Sequence, residues 1–171
     1  RAENKNALAY LRLVRSRDDD AAWERVINVP PRGIGERTVE LVRNLAREQG
    51  ISLWQAMLRA VGNKMLPGRA ANALQGFYDL IEALAGEVAG QSLHRLVQKA
   101  IERSGLIAYH RAEKGDKGQA RIENLEELVS AAGSFDDYED ADSQTVLTPL
   151  AAFLDHTSLE SGDTQADTFE D

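Results

Sequence analysis

The sequence predicts an all-α protein, and three observations carry that prediction. Every strong hydrophobic period in its 171 residues is helical. No run of alternating apolar residues reads as a strand. Glycines, prolines and capping side chains fall where those periods begin and end. No repeat of fixed length appears.

The first helix is expected over residues 4–15, with Ala7, Leu8, Leu11 and Val14 in one stripe. Asp18-Asp19-Asp20 suits the start of a second helix, where acidic groups meet the dipole. Its spacing is not that of a calcium loop. This helix, over 21–28, presents Trp23, Val26 and Ile27. A third begins at Glu36, carries Thr38, Leu41, Val42, Leu45 and Ala46, and stops at Gly50. Ser52 with Gln55 forms a capping box for a short helix through Leu58. Trp54 is assigned to the core rather than to base stacking. Residues 62–67 read as a loop. The clearest period follows: Leu74, Phe77, Tyr78, Ile81, Leu84, Ala85 and Val88, ended by Gly90. Ser92 caps a helix bearing Leu93, Leu96, Val97, Ala100 and Ile101, with Gly105 at its end. A short apolar stretch over 106–109 and a charged loop over 113–118 come next. The following helix shows Ala120, Ile122, Leu125, Leu128, Val129 and Ala132. Residues 133–145 are acidic and expected to be mobile. Thr148-Pro149 opens a last helix with Leu150, Ala151, Phe153 and Leu154. Residues 157–171 are expected to be extended.

The composition is that of a globular protein, 43% hydrophobic and 28% charged. No apolar run approaches the ~18 residues that would span a membrane, and the first residues do not resemble a signal peptide. They read instead as the start of an excised fragment. The absence of Cys excludes disulfides, Cys-based zinc sites and thiol nucleophiles, and is compatible with the expected cytoplasmic location. The net charge of −8 is unevenly spread. Residues 134–171 hold 11 acids and no Lys or Arg. The first 133 residues hold the other 17 acids and all 20 basic residues, a net of +3. Within residues 1–69 the balance is 13 basic to 8 acidic, or +5. The basic body would attract nucleic acid and the acidic end would repel it.

Between the second and third helices, Pro30-Pro31-Arg32-Gly33-Ile34-Gly35 cannot remain helical. Two helices joined by a short glycine turn have the form of a helix-hairpin-helix. Glycines let the backbone approach a phosphate, and the amides opening the next helix can bind its oxygen. Such contacts hold DNA without reading its sequence. The candidate DNA-binding residues are therefore Arg32, Gly33, Ile34, Gly35, Arg37 and Thr38, with the two arginines neutralising phosphates and Ile34 packing beneath the turn. A corner that merely packs is the competing reading. Lys64, Gly68 and Arg69 surround a second helix start and form a lesser candidate contact, which a plain helix start explains better.

The chemistry of an enzyme is not visible. There is no Gly-rich phosphate loop followed by Lys-Ser/Thr and no paired-Asp metal signature. His94, His110 and His156 lack ligand spacing and read as surface or helix residues. Glu126-Glu127 reads as solvated surface charge.

Four stretches carry a resemblance. They are Ala7–Val14 with Asp19-Asp20 and Trp23–Val26; Pro30–Thr38; Gly115–Leu128, with Arg121-Ile122-Glu123-Asn124-Leu125 the most specific; and Pro149–His156 with Gln165-Ala166-Asp167. Together they resemble the 2B subdomain of UvrD/PcrA/Rep-type superfamily 1 DNA helicases, nearest the bacterial UvrD branch. The resemblance covers essentially the whole chain in order. It implies a compact helical subdomain over 1–158, with a mobile acidic loop near 134–145. Residues 159–171 would be an acidic segment leading back to a motor domain that is not here. It implies a non-catalytic, duplex-DNA-binding and regulatory role in an ATP-dependent 3′-to-5′ repair helicase, nucleotide excision repair included. The turn would sit at a single-strand/double-strand junction. ATP and Mg would belong to the parent's motor domains, with no cofactor and no metal in this chain. Those motor domains and DNA-repair proteins are the implied partners, with no membrane. The rival is a protein-interaction module that recruits repair partners with little DNA contact. Asn4 departs from the family's pattern, which has an apolar residue there, and leaves a smaller apolar face on the first helix.

Overall fold

The computed structural model describes residues 1–141 and 148–160, and among these it contains helices and no strand. In order they are α1 (Ala2–Arg15), α2 (Asp20–Val26), α3 (Glu36–Gln49), α4 (Leu53–Gly62) and α5 (Gly68–Gly86). A 3-10 turn follows over Val88–Gly90, then α6 (Leu93–Arg103), α7 (Leu106–Arg111), α8 (Asp116–Ala141) and α9 (Pro149–Glu160).

Local chemistry sets most of these boundaries. Asp19 caps α2 by accepting from the Ala22 amide at 3.0 Å. Ser52 and Ser92 do the same for α4 and α6, accepting from Gln55 and Arg95 at 3.1 and 3.2 Å. Thr148 accepts from Ala151 at 3.1 Å ahead of Pro149. Gly50 closes α3 at φ +63°, a left-handed stop that glycine adopts without strain.

Packing departs from the expected pattern in two places. The single stripe expected on α1 is broader: Ala7, Ala9, Tyr10, Leu11, Leu13 and Val14 are all buried. The reason is that α1 is central, touching α2, α5, α6, α8 and α9. Near its start Glu3 is buried and accepts from Asn124 Nδ2 of α8 at 2.6 Å, while the Oδ1 of Asn4 is buried without a partner. The second departure corrects the loop expected over 133–145. α8 runs through Gly133 to Ala141. Gly133 continues the helix because His94 of α6 occupies its open side, where a Cβ would lie 3.2 Å from the ring. One turn on, the Asp136 carboxylate caps α6, accepting from the Leu93 and His94 amides at 3.0 and 2.8 Å. An acidic residue is drawn into the fold by the positive end of another helix. Residues 142–145 of that loop, and 161–171 of the expected extended end, lie outside the described residues. The chain is helical, not extended, as far as Glu160.

Trp54 is in the core as expected, its ring near those of Phe77 and Tyr78. His110 is not a surface residue. It is buried against α8, where Gly118 passes so close that a Cβ would fall 2.2 Å from the His110 carbonyl oxygen. Its Nδ1 meets Glu113, which also accepts from Arg121.

Candidate nucleic-acid interface

The segment between α2 and α3 is shaped from the core outward. Tyr10 of α1 is buried, and its hydroxyl donates to the Val29 carbonyl. Burial raises the Tyr10 pKa and the Arg32 charge opposes that, so the phenol stays neutral and keeps its proton for that bond. The Val29–Pro30 peptide is cis. Asn28 bridges the turn, donating to the Ile34 carbonyl and accepting from the Arg32 amide at 3.4 Å. Ile34 is buried beneath the turn, as the sequence predicts.

Arg32, expected to neutralise a phosphate, has its guanidinium turned inward onto protein acceptors. Its Nη1 donates to the carbonyls of Val26, Ile27 and Pro30 at 2.9, 3.3 and 3.2 Å. Its Nη2 donates to the Tyr10 hydroxyl and to the Ser104 carbonyl, the latter at 3.4 Å. The guanidinium also lies 5.1 Å from the Phe77 ring centre and 5.5 Å from that of Tyr10. The carbonyls at the end of α2 lack helical partners, and a planar five-donor cation satisfies several at once.

The outer surface of the turn is bare. Gly33, Gly35, Glu36 and Arg37 are exposed. Gly33 has φ +77°, which a side chain adopts only with strain. Gly35 differs: φ −77° and ψ 165° suit any residue, and a Cβ there would meet nothing within 4 Å. Backbone geometry therefore does not explain the second glycine. Gly35 is the N-cap of α3, and no side chain caps that helix. Its carbonyl accepts from the Thr38 and Val39 amides at 3.1 and 3.2 Å. Thr38 is half-buried and Arg37 points to solvent. The one acid on the rim, Glu36, pairs with Arg43 at 2.9 Å. Arg43 also binds Glu24 and Glu40, and hydrogen bonds to the three carboxylates raise its pKa further.

The second candidate lies near the first. Arg37, Leu41, Asn44 and Leu45 of α3 line one shallow groove with Met65 from the α4–α5 connection. Lys64, beside Met65, is exposed at φ +55°, and Gly68 and Arg69 open α5 exposed and without a side-chain cap. Glu40 and Glu48 complete the lining, so the groove runs along most of α3 and carries acids beside Arg37. Sequence reasoning missed Tyr10 and Asn28 as the residues that hold the turn. The signal was slight, a lone hydroxyl on an apolar helix and an Asn at a helix end.

Among the described residues no group of three or more His, Asp or Glu could hold a metal, and no helix is long and apolar enough to cross a membrane.

Comparison with known proteins places the chain. Residues 1–170 match the UvrD-like helicase C-terminal domain. The chain is 52% identical over all of its 171 residues to DNA helicase II of Escherichia coli, covering 23% of that protein. It is 51% identical to DNA helicase II of Haemophilus influenzae over 166 residues, which is 97% of the chain and 22% of that protein. It is 35% identical to the ATP-dependent DNA helicase PcrA of Bacillus subtilis over 161 residues, 94% of the chain and 22% of that protein. The chain spans less than a quarter of the length of these relatives. A helical chain matched from end to end in this way belongs to the UvrD-like helicase C-terminal domain family.

Proposed function

We propose that this chain is a 2B-type subdomain that holds duplex DNA at a junction for an ATP-dependent helicase and performs no catalysis itself. The observation that carries this reading is the bare start of α3. Gly35 stands where a serine would cap, no conformational need explains it, and no side chain covers the amides beyond it. A helix start left open in this way suits a phosphate oxygen. Arg37 is the cation placed to neutralise it, with Lys64, Gly68 and Arg69 a second contact on the neighbouring connection. The relatives' names, which include ATP-dependent DNA helicase, support DNA as the ligand and ATP as the parent's fuel. Action in the cytoplasm and in DNA repair belongs to the same reading. Residues 159–171 would be the acidic segment that leads back to the motor.

The test is duplex and single-stranded oligonucleotide binding by fluorescence anisotropy over a range of salt. Weak, sequence-indifferent duplex binding is expected, with a log–log slope near −0.9 per phosphate neutralised. Arg37→Ala should make that slope shallower by about 0.9. Equal affinity for both strand forms, with no salt dependence, refutes the reading. The chain should also show no DNA-stimulated ATP hydrolysis, and turnover that survives re-purification would refute the non-catalytic assignment. A protein-binding role has one observation in its favour: Met65 is exposed at 44% beside Leu41 and Leu45 in the α3 groove.

A further inference from the structure

We propose that Arg32 is a positioning residue of the phosphate-binding turn: it shapes the backbone that presents the amides at the start of α3. The proposal rests on the duplex-binding reading of that turn and gives one of its two arginines a different task.

Four helices meet on the guanidinium. It takes the last carbonyls of α2 and that of Pro30 on one nitrogen. On the other it takes the Tyr10 hydroxyl of α1 and the Ser104 carbonyl at the end of α6. The ring of Phe77 from α5 lies 5.1 Å from its centre. The turn is thereby referenced to four helices through one side chain. The approach to the turn is held from the same place, since Tyr10 also donates to Val29 and a Cβ on Gly105 would lie 3.4 Å from Pro30 Cγ, while Asn28 ties the far side through the Ile34 carbonyl.

The charge is arranged as specifically as the hydrogen bonds. Among the described residues, every acceptor on Arg32 is a carbonyl or a hydroxyl, and none is a carboxylate. Carbonyl dipoles stabilise the cation without cancelling it. A full positive charge therefore persists on the core side of the turn while the amides of α3 open on its outer side. Partial burial screens that charge less than a surface lysine's. Shape and field come from one residue that never touches the phosphate.

Lysine separates this from a direct contact. An ammonium keeps the charge but lacks the planar fork that spans two sets of acceptors. A phosphate ligand tolerates the exchange, and a positioning fork does not. The experiment compares Arg32→Lys, Arg37→Lys and Tyr10→Phe in the whole chain. Duplex titrations are run at several salt concentrations, and amide exchange of residues 33–37 is followed without DNA. Arg37→Lys should bind like the parent. Arg32→Lys should bind about tenfold more weakly, the effect of losing about one charge-assisted hydrogen bond. Tyr10→Phe removes no charge, so its affinity should fall several-fold at the parent's salt slope. Both variants should exchange the 33–37 amides faster while those of residues 63–65 stay at the parent rate.

A role in stability alone predicts a lower thermal midpoint with unchanged affinity below it, and that result overturns the proposal. So does parental affinity in Arg32→Lys. If Arg32→Lys does not fold, Tyr10→Phe decides, and unchanged affinity together with unchanged exchange refutes positioning. If the parent chain binds no duplex, the functional reading falls, and the exchange arm still decides whether Arg32 and Tyr10 set the shape of the turn.

Discussion

Replacing Gly35 with serine should make the protein more stable and worse at holding DNA. The backbone at Gly35, φ −77° and ψ 165°, is nearly that of the serines that cap α4 (−70°, 163°) and α6 (−67°, 157°). Both of those serines accept from an amide three residues on. A serine at 35 has space, since nothing lies within 4 Å of its Cβ position. It should cap α3 in the same way. Exchanging a glycine cap for serine gains about a few tenths of a kcal/mol. For a chain of this length that raises the thermal midpoint by about 1 °C. The new hydroxyl would occupy the amides proposed for phosphate and interpose atoms at the contact. Loss of a charge-assisted hydrogen bond costs about 1.5–3 kcal/mol, a roughly ten- to hundredfold fall in duplex affinity. Gly33→Ser is the contrast two residues away. There φ is +77°, so the side chain is strained by about 1–2 kcal/mol and the midpoint should fall by several degrees. Scanning calorimetry and anisotropy at matched salt read both quantities. A Gly35→Ser protein that melts lower than the parent, or binds duplex equally well, refutes the argument.

Further predictions follow from the packing. Asp136→Ala removes a carboxylate that caps α6 from α8 and should cost about 1–2 kcal/mol, seen as a lower urea midpoint with unchanged slope. Gly118→Ala forces a Cβ to 2.2 Å from the His110 carbonyl oxygen and should destabilise by about 1–3 kcal/mol in the same assay. The Glu113 carboxyl is held below its usual pKa, first by the hydrogen bond from His110, with the Arg121 charge contributing. A lowered folded-state value means its stabilisation is complete above the ordinary carboxylate pKa and is lost as pH falls through the lowered one. Thermal melts of Glu113→Gln should therefore show a shallower acid limb than the parent, and parallel curves would refute this.

The fold class was legible because each helix carries both a 3.6-residue period and a chemical stop. Ser52, Ser92, Asp19 and Thr148 act through amides three residues away, so their role is written locally. What escaped was non-local. Gly133 reads as a helix stop until His94 is known to lie against it, and Asp136 reads as solvated until α6 presents its amides. The helix at 134–141 was hidden for that reason. The turn was legible as a glycine corner, and Ile34 packs where expected. The inward turn of Arg32 was not, because its acceptors are spread from Tyr10 to Ser104. Arginine beside a glycine turn suggests phosphate, and nothing in its local sequence marks the backbone carbonyls that its guanidinium also reaches.

The central place of α1 has a consequence for synthesis on the ribosome. α1 is made before α8 and α9, which pack against it and begin more than 100 positions later. At roughly 5–20 residues per second the first helix waits several seconds or longer for its last neighbours. Through that interval it can pair with α2, α5 and α6 as they emerge, while the flank that α8 and α9 will cover stays open to solvent. Nascent chains stalled before α8 should bind holdase chaperones, and release should coincide with the emergence of Leu125 through Ala132. The packing around α1 is complete only once α8 and α9 have been made.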